Sequence, residues 1–149
     1  METCMSEYVQ HCSEQVLGPM FDDLGTELQG IIGSEGAKGL VEAADIKGDI
    51  DLNEAAFELG LDEVVMSAGT EFPLHIHPGS HILYILDGPG FVHIEGVDYA
   101  VDTGDSIYVP AVFPHGVKTS PSNPADFRFV AIGYPHHKVD STTRMTVVR

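Results

Sequence analysis

The sequence predicts an all-β fold, a sandwich or barrel of short strands, and three observations carry that expectation. From about residue 55, β-branched and aromatic residues come in short runs, the composition that suits a pleated, half-buried surface. Gly, Pro and Asp punctuate those runs at fairly even intervals, as turns between strands require. No helical period competes with this pattern in the second half of the chain. At 149 residues, 43% of them hydrophobic, the chain is long enough to close one domain around its own core.

The elements follow in order. Tyr8, Val9, Cys12, Val16 and Leu17 fall at near-helical spacing and predict a short helix that ends at the Gly18-Pro19 break. Residues 30–53 are rich in Gly and Asp and read as surface loop with short strands. Strands are expected at about 57–68, 72–77, 80–86, 90–95, 98–101, 106–109, 114–119 and 127–134. In the first, Val64, Met66 and Ala68 alternate with acidic, valine and serine neighbours, which predicts one buried face. Ile82 to Leu86 is apolar on both faces and is expected deep between layers. Asp87-Gly88-Pro89-Gly90 and Thr103-Gly104-Asp105 read as hairpin corners, and Ser120 to Ala125 as a loop before the last long strand. The tail from His136 is polar until MTVV, which reads as one further edge strand. The chain thus divides into an N-terminal extension over 1–54, a β-barrel domain over 55–135 and a C-terminal tail over 136–149.

Charge narrows the partners. Seven Lys and Arg against 23 Asp and Glu give a formal net charge of −16, a field that repels nucleic acid and acidic lipid headgroups. Neither is expected as a partner. No stretch approaches the ~18 consecutive apolar residues of a membrane-spanning helix. METCMSEYVQHC lacks both the basic leader and the apolar centre of a secretory signal, which predicts a cytoplasmic protein. Cys4 and Cys12 are the only cysteines and indicate no disulfide framework. They read as reduced thiols, with a Cys4, His11, Cys12 metal site as the alternative.

The stretch HIHPGSH, residues 75–81, holds three of the chain's eight histidines. Side chains on a strand alternate faces, so His75 and His77 project to the same side. Pro78, Gly79 and Ser80 supply a turn, and His81 opens the next strand, where it can swing back toward the first two. His115 stands behind Pro114, after the strand SIYVP. Four neutral imidazoles converging on one point suit one divalent transition-metal ion, Fe, Mn, Ni, Cu or Zn. His93, alternating in FVHIEG, reads as a surface or satisfied residue, and His136 and His137 as solvated.

These intervals resemble those of the cupins. The first cupin motif has a glycine, five residues, His-x-His, a third ligand position and a closing glycine, and Gly69, His75, His77, His81 and Gly88 fall at its intervals. Gly104, Pro110 and His115 fall in register with the second motif. The resemblance implies a jelly-roll type double-stranded β-barrel, here with an N-terminal extension containing a short helix. It implies His75, His77, His81 and His115 as metal ligands, and a homodimer. Three residues depart from the pattern: His81 where the family usually has glutamate, Val112 where it has glycine, and Thr119 where it has asparagine. An imidazole in place of the carboxylate leaves a divalent ion its full charge, which favours anionic or chelating oxygen ligands.

Phe72, Leu83, Tyr108 and Phe113 are candidates for the wall of a substrate pocket, whereas Tyr84 falls on the opposite strand face from His81, Leu83 and Ile85. Glu71 and Glu95 offer no assured general base. A reaction on an already deprotonated substrate needs none. The expectation is therefore a metal-dependent enzyme, a non-haem dioxygenase acting on a small chelating enol, diketone or phenol. The competing class is a cupin that binds or senses a small molecule without turning it over. A seed-storage-like protein would need two cupin domains in tandem, and this chain has no internal repeat.

Overall fold

Period-2 alternation from residue 60 onward builds two sheets that face each other across a shared apolar interior. The structure, a computed structural model, describes residues 19–21, 24–25, 37–42 (as backbone), 60–111, 113–135 and 145–148. The expected helix, Cys4, His11, Cys12, Val112, His136 and His137 lie outside the described residues. The strands are β1 (Ala37–Glu42), β2 (Gly60–Met66), β3 (His75–Ile76), β4 (Ser80–Asp87), β5 (Gly90–Ile94), β6 (Val97–Val101), β7 (Ser106–Val109), β8 (His115–Lys118), β9 (Phe127–Tyr134) and β10 (Thr146–Val147). One sheet has the order β1-β2-β9-β4-β7, the other β10-β3-β8-β5-β6. From β2 to β9 the chain changes sheet at every connection except β5 to β6, the crossing pattern of a jelly roll.

That crossing corrects two turns. Asp87–Gly90 and Thr103–Asp105 close no hairpins, because β4 and β5 belong to opposite sheets, as do β6 and β7. They are corners that carry the chain from one layer to the other. Gly88 is required at the first, where a Cβ would come within 2.6 Å of the Asp102 side chain and 2.8 Å of its Cα. The hairpin is β5–β6, which turns on Glu95 and Gly96 at φ 50 and 81. Both loop residues lie in the left-handed region that a two-residue hairpin loop demands.

The interior follows strand parity. On β2 Val64 and Met66 point in; on β4 Leu83 and Ile85; on β9 Phe127, Phe129 and Ala131. Each fully buried side chain of this size contributes roughly 1.5–3 kcal/mol of apolar burial. The expectation that residues 82–86 are buried on both faces is corrected: Ile82 is 47% and Tyr84 46% exposed, while Leu83 and Ile85 are buried. On β4 the outer face of that sheet meets solvent, whereas on β2 the outward Glu63 and Val65 are buried. Among the described residues no helix is long and apolar enough to cross a membrane.

Candidate metal centre

The local fold brings the histidines to one end of the interior. β3 and β8 pair so that His75 stands opposite His115, and His77 returns to the inner face two residues after His75, as alternation requires. The corner that follows must contain glycine, because a Cβ at Gly79 would run into the Pro135 carbonyl. It delivers His81 to the start of β4 on the opposite sheet. Thr119 ties the two histidine-bearing segments together. Its hydroxyl accepts from the Thr70 amide (2.9 Å) and donates to the Ser67 carbonyl (2.8 Å), and its own amide donates to the Thr70 carbonyl (2.9 Å). Threonine in place of the asparagine of the resembled motif thus keeps a cross-loop clamp.

His75, His77 and His115 are all buried, and their ring nitrogens lie within 4.8 Å of one another. Nδ1 of His75 is 2.8 Å from the Pro73 carbonyl, and Nδ1 of His115 is 2.9 Å from that of Phe113. Carbonyl oxygens only accept, so both Nδ1 atoms carry hydrogen and both Nε2 atoms are the nitrogens able to bind a cation. Burial pushes the His115 pKa down, against the opposing pull of the Phe113 carbonyl. Nε2 of His115 and Nε2 of His77 lie 3.0 Å apart. The donor set therefore fits a transition-metal ion: three buried imidazoles, two with fixed tautomers, in an apolar setting.

His81 stands beside this trio. Its ring is 4.4 Å from that of His77, centroid to centroid, and it lines the same cavity from the other sheet. Phe72, whose ring is 4.7 Å from that of His75, and Leu83 line the cavity as well. Tyr108 and Phe113 do not. Val109 is buried in the interior and Ile107 packs against the core, so Tyr108 is 63% exposed and donates to the Ser80 hydroxyl (3.2 Å). With Phe113 it lines a groove on the outside of the barrel. His93 is bound to Asp98 at 2.7 Å on the surface, and the Asp98 carboxyl is held below its usual range by Lys118 and then by His93. Glu71 and Glu95 are exposed outside the cavity.

The sequence reading missed three interior residues. Asp62 shares the inner face of β2 with Val64 and Met66 and is fully buried, which the parity of that strand could have shown. Met20 and Met145 line the histidine cavity. No local pattern marks either of them.

Residues 62–133 match the family described as the cupin domain. The barrel has the cupin fold. Over 83 residues the chain is 30% identical to an uncharacterized protein of Methanocaldococcus jannaschii, covering 55% of this chain and 65% of that one, so it spans under two thirds of that relative's length. An RmlC-like cupin from Shewanella frigidimarina aligns with a TM-score of 0.57 at 22% identity, over 87% of this chain and 92% of that one. A predicted oxalate decarboxylase from Thermotoga maritima aligns with a TM-score of 0.57 at 20% identity, over 85% and 98%. At these identities the two structures speak for the cupin fold.

Proposed function

We propose that this cupin holds one divalent transition-metal ion through His75, His77, His81 and His115 and acts as a non-haem dioxygenase on a small substrate that chelates through oxygen. One observation carries the reading: three buried imidazoles bring a ring nitrogen each to within 4.8 Å of one another at the wall of an apolar cavity. An ion bound there supplies Lewis acidity toward oxygen donors and, if redox-active, electrons for dioxygen. The chain's own groups do the rest. The Pro73 and Phe113 carbonyls hold two rings in the ligating tautomer, and His81 faces the trio from the opposite sheet. Phe72 and Leu83 exclude water and orient an apolar substrate body. Among the described residues no carboxylate lines the cavity, which favours a substrate that arrives deprotonated.

Metal analysis of tag-free protein, followed by oxygen uptake with diketones and catechols, tests this. About one ion per chain and oxygen consumption are expected; no ion under any loading condition overturns the proposal. Tight ligand binding without oxygen consumption would make the protein a sensor or carrier.

The same reading includes a homodimer. Ile132, Ile82 and Tyr108 are cross-strand neighbours on the exposed sheet face, with Tyr84 and Tyr134 beside them. Two chains of net charge −16 meet with least repulsion through such an uncharged face. Sedimentation should show a dimer, and Ile82→Asp a monomer; a monomeric wild type excludes it.

A further inference from the structure

We infer that Met20 and Met145 set the size of ligand that can reach the histidine cluster. The inference rests on the reading of the cavity as a ligand site and names which residues limit what enters it. The barrel's own strands supply most of the wall, including Val64, Leu83, Val92, Val109 and Phe129. These are fixed by backbone pairing, and the valines are stiff at χ1. Met20, Pro135 and Met145 come from outside the barrel strands. Pro135 is wedged against the Gly79 corner.

Both methionines are buried, at 1% and 3% exposure. They arrive from opposite ends of the chain. Met145 is placed by β10, whose Thr146 and Val147 pair with Ile76 and His75, and the Val148 amide donates to the Leu74 carbonyl (2.8 Å). The same register carried one residue further sets Met145 opposite His77. The tail is therefore laid directly on the strand that presents two of the imidazoles.

Volume makes the two side chains decisive. The cavity has ≈ 50 Å³ of room, whereas a cavity that accepts benzene has about 150 Å³. Water, dioxygen or a compact chelator fits without rearrangement; a ring does not. A ring-bearing ligand must displace wall atoms, and an unbranched thioether with three rotatable bonds yields most readily. Met20 and Met145 are then specificity-determining residues: they admit small ligands freely and tax large ones.

Two measurements on the full-length chain test this. In the first, benzene binding to metal-free protein is followed by saturation-transfer NMR. M20A/M145A is expected to bind benzene at least about tenfold more tightly than wild type; affinities within about twofold of each other overturn the inference. In the second, the Ni(II)-loaded protein is titrated calorimetrically with acetohydroxamate and with catechol. The double variant is expected to shift the affinity ratio about tenfold toward catechol with Ni(II) stoichiometry unchanged; an unchanged ratio overturns the inference. A chain that takes up neither Ni(II) nor any other divalent transition-metal ion refutes the proposed function, while the benzene comparison still decides the role of the methionines. Should the double variant not fold, M20V and M145V singly are expected to gain about threefold for benzene, and no gain in either overturns it.

Discussion

The two sheets of this barrel are built differently. In the β1-β2-β9-β4-β7 sheet, β9 pairs with β2 without interruption from Gly60↔Gly133 to Met66↔Phe127 and with β4 over a similar length. In the other, β3 has two residues and meets β8 through the single pair His75↔His115. The long-paired sheet supplies regularity and most of the large core side chains. The other sheet pairs regularly from β6 through β5 to β8 but thinly at β3, where three of the four histidines gather and side-chain bonds to backbone set the local geometry: His75 to Pro73, His115 to Phe113, Thr119 to Ser67. The site occupies the side where ladder pairing is thinnest and where a bound ion would add most.

The comparison can be broken at several points. Phe127→Ala, at the fully buried end of β9, should cost about 3–5 kcal/mol in denaturant unfolding; a loss under ~1 kcal/mol would show that the regular sheet is not the main reservoir of stability. His77→Ala should weaken metal binding about 100-fold or more by calorimetry, equivalent to roughly 2.8 kcal/mol, with the melting temperature of the metal-free form little changed. Removing the ion should lower hydrogen-exchange protection of β3 and β8 by up to about 2.7 kcal/mol from a form kept at 100 times its dissociation constant. β2 and β9 should change less, and equal loss in both sheets would erase the contrast. Thr119→Val keeps the shape of the side chain and removes its two hydroxyl hydrogen bonds, but the Thr70 amide and hydroxyl still donate to the Ser67 carbonyl, so the cost should be about 1 kcal/mol. His93→Ala, which breaks only a surface contact to Asp98, should fall within about 0.5 kcal/mol of wild type.

Much of this was legible in the residues, and the failures have physical causes. Alternation located strands such as β4 and β9 because one face of each is buried, and the spacing of His75 and His77 placed both on the inner face. The same parity that excluded Tyr84 also excludes Tyr108, since Ile107 and Val109 are the inward neighbours. Corners at Asp87–Gly90 and Thr103–Asp105 read as hairpins because glycine and aspartate serve any sharp reversal, whichever sheet the chain enters next. Ile82 and Tyr84 were misplaced because apolar character on both faces does not say whether a second layer exists. Met20 and Met145 could not be found: an isolated methionine has no period, and both reach the cavity only through closure of the chain over distances that no local signal encodes.

The pairing of Thr146 and Val147 with the His75 strand also bears on how the protein is handled. An affinity handle fused after Arg149 would begin three residues beyond Val147, which pairs with His75. A polyhistidine handle there would compete for the very ion being counted. Recombinant preparations for metal work are better purified with a cleavable handle at the other end, removed before any loading measurement.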